Sequence, residues 1–474
     1  MEGDEQNASR QDKTNGQYSQ DGLQPQQESQ QEPLPPPTRA LILMDSFCPY
    51  HGLYMASTVR QFYPGVMVVH LLSDYLRGFL EMNEPENNGQ WEAARIPTGE
   101  AEINEWKSRI GKDVELVGVY CESDSGLADA EKVRQTLGVS CQDDPVVLED
   151  RRNKYLMNER VAKMTGLPVV RQKMCTTLEQ AKEFANDLFD RGIRAVVKPH
   201  RGVATESVFL CETTNQVVNA WDAIIGTSIY AEVGKHNSVL VQEHLVGTEY
   251  AVDMVARDGD YKAAAIWRYD KGRVNDAPFC YFRTQLVDDR NDSAETIRAV
   301  VEYVQASLTA LGVRWGQSHS EVIVTRDRGP VLVEVNCRQH NMDFAPLTML
   351  CIGYSAWEMT LDAFLENDKV WETIPKLPQL RNAGCMVHLV NYATGKLSGV
   401  NHLEDIEKLE SILDMEIYPR YFTPGAEIVP TTDIRTDAGW VQLASDDAQQ
   451  VEQDYRKIVE WMPTMFEVEN DRGK

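Results

Sequence analysis

The strongest constraint on this chain is a pair of β-branched runs near its middle. Ser320-Glu321-Val322-Ile323-Val324 and Val333-Glu334-Val335-Asn336-Cys337-Arg338 flank a short turn, Arg326 to Pro330, and read as an antiparallel hairpin. Side chains on a strand alternate between its two faces. Glu334, Asn336 and Arg338 therefore share one face, and Glu321 reaches the same cleft from the paired strand. Two carboxylates and an amide oxygen beside an arginine make a hard-oxygen site for Mg2+, with the guanidinium placed for a phosphate. The same pattern also fits the solvated outward face of an amphipathic hairpin, so other segments have to decide between the two.

At 474 residues the chain exceeds one ordinary core, and roughly 100 to 200 residues per domain implies two to four domains. Acidic residues outnumber basic ones, 73 to 47, for a net charge of -26. That balance argues against unspecific binding to nucleic acid or anionic membranes, both of which need basic surface. No run approaches the length of a membrane span and the N-terminus has no secretory pattern, so the cytoplasm is the expected compartment. The nine cysteines include no C-x-x-C pair and read as reduced thiols.

Residues 1–37 are rich in glutamine and acids and end in a proline cluster. They hold too few apolar side chains to offset the entropy of ordering, and a disordered tail is expected. From residue 38 to about 150, strands Ala40 to Met44, Val66 to Leu71 and Val114 to Cys121 alternate with helices. This is the pattern of an α/β domain with a parallel sheet. The loop Glu122-Ser123-Asp124-Ser125-Gly126 lies at the carboxyl end of its third strand, where such sheets place ligands, and reads equally well as a helix cap. The first loop, around Ser46 and His51, carries the same two readings. Residues 151–365 change to a mostly antiparallel α+β pattern, in which Val300, Val301, Val304, Leu308 and Leu311 mark an amphipathic helix. Residues 366–474 form a turn-rich C-terminal portion expected to pack on that domain.

Neither common phosphate loop is present, because G-x-G-x-x-G is missing and Gly234-Lys235 is followed by His236. Three other pieces supply nucleotide-binding chemistry. Ala195-Val196-Val197-Lys198-Pro199 ends an apolar strand on a lysine, and the loop behind it carries Gly202, Thr205 and Ser207, whose backbone N–H groups and small side chains suit phosphates. Val241 to Glu249 leaves one strand and enters another through Gly247, a hinge that can offer backbone groups to an adenine and Glu249 to ribose hydroxyls. Arg151 to Tyr155 opens a helix with a second lysine, Lys154.

Taken in order, these pieces resemble the ATP-grasp family, in which two α+β subdomains clasp ATP and an α/β domain precedes them. The resemblance runs from about Arg39 to Val468. It implies a fold of mixed α/β and α+β class: an N-terminal α/β domain, an ATP-grasp fold and a C-terminal α+β portion. It also implies that Lys154 and Lys198 contact ATP phosphates, that Glu243 and Val246 bind the adenine edge through backbone, and that Glu249 binds the ribose. Glu321, Glu334 and Asn336 would hold Mg2+, with Mn2+ as the alternative ion, and Arg338 would stabilise a phosphorylated intermediate. One departure concerns the phosphate-covering loop. The family usually ends it in Ser-x-Gly, whereas Glu206-Ser207-Val208 occupies that place here, which leaves open whether Thr205 or Ser207 contacts phosphate.

Within the family, Arg152 to Met157, Arg268-Tyr269-Asp270-Lys271, Asn275 to Phe279, Pro424-Gly425-Ala426 and Thr432-Asp433 look most like amino-acid ligases of the bacilysin type. The activity this implies is joining a small carboxylic acid to an amine through an acyl phosphate, releasing ADP and phosphate, in a protein that dimerises through its N-terminal α/β domain. His319, His340 or the substrate itself could take the amine proton. Two other readings share the pattern: a carboxylase component resembling biotin carboxylase, and an ATP-binding regulator without catalysis. No biotinyl-lysine segment supports the first, and the presence of Arg338 beside both acidic residues disfavours the second.

Overall fold

The computed structural model describes residues 38–46, 54–73 and 113–469, apart from 203–206, 230–233, 341–343 and 366–367, with isolated positions between 76 and 108. The N-terminal tail, His51 and most of the expected helix before Ile110 lie outside the described residues.

Strands Val66–Leu71, Arg39–Met44 and Glu115–Cys121 form a parallel sheet in that spatial order. Its central strand is apolar and fully buried from Ala40 to Met44, as a strand covered on both faces requires. Helix Leu127–Leu137 packs on one face. The other face receives helix Ala356–Leu365, whose Phe364 ring lies so close to the sheet that a Cβ on Gly118 would stand 2.3 Å from it. That helix also packs against Gly247–Arg257 and so ties the first sheet to the large one.

Two antiparallel sheets follow. The smaller runs Gln172–Cys175, Val239–Glu243, Ala195–Lys198, Phe209–Cys211, and helices Leu178–Asp190 and Thr214–Ile224 cover it. Both helices start on a threonine cap: Thr177 accepts from Gln180 N, and Thr213 forms a capping box with Gln216. The larger sheet has eight strands, in the order Gly329–Asn336, Trp315–Thr325, Gly247–Arg257, Asp260–Val274, Ala277–Leu286, Ala383–His388, Gly439–Ser445, Ile412–Ile417. Helix Ala294–Ala310 buries the expected stripe of Val300, Val301, Val304 and Leu308 against it. The C-terminal portion thus adds three strands to the central sheet, beyond packing on it, and after helix Ala448–Met465 closes with strand Phe466–Val468, which pairs with Gly395–Val400 in a small antiparallel sheet.

The hairpin expected at the metal strands is present, with Glu321 directly opposite Glu334. The strand stops at Asn336, however, and does not carry Arg338 on its face as alternation suggested. The physical reason is a competing anchor. Gln339 donates from Nε2 to Glu122 O at 2.8 Å and accepts from Tyr120 Oη at 2.9 Å, which draws the chain onto the carboxyl edge of the first sheet.

Candidate active site

The two antiparallel sheets face each other across a cleft lined by Lys154, Lys198, Glu243, Glu249, Glu321 and Glu334. Six of the residues singled out in the sequence therefore converge, although they come from a helix and five different strands. Each is positioned by a local rule. Lys154 begins a helix whose cap, Asn153, accepts from Tyr155 N and Leu156 N. Lys198 ends the apolar strand Ala195–Lys198. Glu243 and Glu249 flank the hinge, where Gly247 is required because a Cβ there would stand 2.1 Å from Val324 O.

Charge is dense and mostly paired. Lys154 Nζ lies 2.8 Å from Glu334 Oε2 and donates to Gly202 O at 2.9 Å. Burial works against the Glu334 carboxylate, but Lys154 and the amide of Asn336, which donates to Glu334 Oε1 at 3.0 Å, hold it well below the usual carboxylate range. Glu321 is likewise lowered, since Lys271 and His319 outweigh its burial. Burial, with Lys154 adding to it, pushes the Lys198 ammonium down to about 8 in spite of Glu334, Glu321 and Glu249. The donor set fits a divalent cation: two ionised carboxylates opposed across one strand pair, with Asn336 bonded to Glu334 through its nitrogen and its amide oxygen still an acceptor. Glu321, Glu334 and Asn336 would hold such an ion, and its chemistry would be neutralisation of phosphate charge.

Thr205 lies outside the described residues. Ser207 is described and adopts φ 58°, the left-handed conformation that glycine enters without strain. Asn336 borders a neighbouring recess that also holds Asp124, Arg152, Lys154 and Glu334. Val246 is 70% exposed and Leu245, not Val246, lines the cleft. The glutamate expected to meet adenine through its backbone, Glu243, has that N–H bonded to Arg171 O, and its carboxylate accepts from Arg171 N and Arg328 Nη1. Lys235 of the false phosphate loop is not among the residues lining the cleft.

Lys271 was missed by sequence reasoning as a cleft residue. It lines the cleft, lies 2.7 Å from Glu249 Oε1 and stacks over the rings of Tyr281 and Tyr269 at 4.2 and 4.8 Å. Its only sequence signal was its place in the Arg268-to-Lys271 segment. Behind Glu321 lies a buried network in which Asp253 bonds both His319 Nδ1 at 2.9 Å and His340 Nδ1 at 3.3 Å. Tyr269 Oη approaches the Nε2 atoms of both histidines, at 3.4 and 3.1 Å. Burial opposes protonation of His319, but Asp253 and Glu321 raise it to about 9, while burial and His319 push His340 down to about 4.

A cleft between two antiparallel sheets, with lysines and opposed carboxylates on its walls and an α/β unit before it, is the arrangement of an ATP-grasp fold. The ATP-grasp domain family matches residues 192–344. Dapdiamide A synthase of Enterobacter agglomerans is 24% identical over 336 residues, 70% of this chain and 76% of that protein. An L-amino acid ligase from Bacillus licheniformis superposes with a TM-score of 0.69 at 15% identity, over 91% of this chain and 99% of that one. N5-carboxyaminoimidazole synthase from Aspergillus clavatus does so with a TM-score of 0.60 at 14% identity, over 90% and 99% of the two chains. No helix among the described residues is long and apolar enough to cross a membrane.

Proposed function

We propose that this protein is an ATP-dependent ligase that joins an amino acid or related carboxylic acid to an amine. The observation that carries the reading is the convergence of Lys154 and Lys198 with Glu321 and Glu334 on the walls of one cleft. A carboxylate is a poor electrophile. Transfer of the γ-phosphoryl group of ATP to one of its oxygens gives an acyl phosphate and ADP. Attack of the amine nitrogen on the acyl carbon then forms the amide, expels phosphate and releases one proton. Nothing in this sequence needs a protein nucleophile. The residues act by position and charge: Lys154 and Lys198 on the transferring phosphates, Glu321, Glu334 and Asn336 on Mg2+, Arg338 on the acyl phosphate. Leu245, Glu243, Glu249 and Lys271 all line the cleft; in this reading the first two face the base and the last two the sugar. The likeness to the L-amino acid ligase supports amino acids as substrates. The reading places the protein in the cytoplasm, and a homodimer remains its expected assembly.

The test is to incubate the protein with ATP, Mg2+ and pairs of amino acids and to identify the nucleotide and amide products. ADP and phosphate are expected. In the absence of an amino-acid amine, hydroxylamine is expected to trap a hydroxamate, which Glu334→Gln abolishes and Arg338→Ala slows by roughly 10²- to 10³-fold. AMP and pyrophosphate would establish an adenylate route and overturn the proposal.

A further inference from the structure

Arg338 lies two residues past the end of strand Gly329–Asn336 and is tied to the carboxyl edge of the parallel sheet. Its side chain is 7% exposed, its Nε–H donates to Asp124 Oδ2 at 2.7 Å, and one Nη1–H donates to Gln339 O at 2.7 Å. The Nη2 end has no hydrogen-bond partner among the described residues, so two N–H groups remain for an anion. Asp124 comes from a different sheet, in the loop after strand Glu115–Cys121 at the carboxyl edge of the parallel sheet. Helix Leu127–Leu137 is capped by Gly126 without any side-chain cap bond, so capping does not explain why an aspartate stands at 124. The loop is held firmly. Ser123 Oγ donates to the buried Asp45 carboxylate and accepts from Gly126 N, and Arg152 Nη1 donates to Asp124 O. Gln339, the neighbour of Arg338, is fixed to the same edge through Tyr120 and Glu122.

A guanidinium is useful in transition-state stabilisation only when its donors already point where charge develops. An arginine on an irregular segment past a strand end has several rotatable bonds, and a carboxylate on Nε removes most of that freedom while leaving the far edge of the fork for the substrate. We propose that Asp124 is a positioning residue: it aims Arg338 across the domain boundary, so that acyl-phosphate formation depends on the first α/β domain. The proposal rests on the ligase reading above and goes beyond it by assigning this work to a residue outside the ATP-grasp domain.

The experiment compares the full-length wild type, Asp124→Asn, Arg338→Ala and the double variant. Each is supplied with MgATP, the common amino acids one at a time, and hydroxylamine in large excess over the amino acid. Asp124→Asn keeps size and shape and is expected to slow hydroxamate formation by roughly tenfold or more, with ATP affinity within about twofold of wild type because Asp124 does not line the nucleotide cleft. In the Arg338→Ala background the same substitution is expected to cost nothing further. Trapping at the wild-type rate, an equal loss in both backgrounds, or a parallel loss of ATP affinity would each overturn the proposal. A readout independent of turnover is the Nε–H resonance of Arg338, assigned by its loss in Arg338→Lys. It is expected to exchange slowly with solvent in the wild type and fast in Asp124→Asn, and equal exchange in the two proteins would overturn the proposal. A wild type that traps no hydroxamate would count against the ligase reading, and the resonance would still decide whether Asp124 holds Arg338.

Discussion

Glu321 and Glu334 are register partners on adjacent antiparallel strands, two half-buried acids facing each other with Lys154 Nζ 2.8 Å from the second. Like charges directly opposed on a sheet face destabilise it, and a cation between them relieves the repulsion. Mg2+ should therefore raise the melting temperature of the ligand-free protein, and a chelator should reverse the shift. At a concentration of 100 Kd the stabilisation would be about 2.7 kcal/mol. Glu334→Gln should lose the Mg2+ response and, in chelator, melt below the wild type, because Lys154 loses its partner. A wild type indifferent to Mg2+ would refute the assigned donor set.

Two lysines make opposite predictions for nucleotide binding. Lys198→Ala should weaken ATP binding by roughly tenfold or more, on the scale of a lost charge-assisted contact, and Lys235→Ala should leave it unchanged. A titration calorimeter decides between this order and the reverse.

The same lysine sets a pH dependence. Burial brings Lys198 down to about 8, so the ammonium is mostly charged at neutral pH and mostly neutral a pH unit or more above 8. Phosphate anions favour the charged form. ATP binding should therefore take up protons near pH 8 and weaken as pH rises through that value. Calorimetry in buffers of different ionisation enthalpy measures the uptake, which Lys198→Ala should remove.

Lys271 and Glu249 form a pair whose side chains are only 15% and 16% exposed. Removing one partner of such a pair leaves an uncompensated charge, at a cost of about 3–5 kcal/mol. Lys271→Met should destabilise the protein on that scale. Lys271→Met with Glu249→Leu should recover most of the loss in chemical denaturation, and equal stability of the single and double variants would contradict the pairing.

Ser207 occupies a backbone conformation suited to glycine. Ser207→Gly should stay within about 0.5 kcal/mol of the wild type, because relief of strain offsets the greater entropy of an unfolded glycine. Ser207→Val should cost more than about 1 kcal/mol, since a β-branched residue is a true outlier there. Denaturant midpoints measure both.

Local pattern was enough for the residues whose place depends on one element. Lys198 closes an apolar strand, Lys154 follows an asparagine cap, and Glu321 faces Glu334 because a short turn sets the register of one hairpin. It was insufficient where a distant partner decides. Period-two alternation runs on past Asn336 in the sequence, but pairing ends there because Tyr120 and Glu122 hold Gln339 elsewhere. Lys271 reaches the cleft only because Asp260–Val274 continues past its pairing with Gly247–Arg257 and runs on against Ala277–Leu286. The three C-terminal strands could not be assigned to the central sheet from their own residues, since Ala383–His388 pairs with a strand about a hundred positions earlier.

That last pairing has a consequence for biogenesis. Until Ala383–His388 emerges from the ribosome, Ala277–Leu286 is the edge of a growing sheet, with a row of backbone donors and acceptors open to any other chain. Vectorial synthesis delivers every wall of the nucleotide cleft before it delivers the strands that protect it. Nascent chains stalled after residue 365 should therefore be the aggregation-prone species, and a chaperone that shields extended backbone would act in that interval.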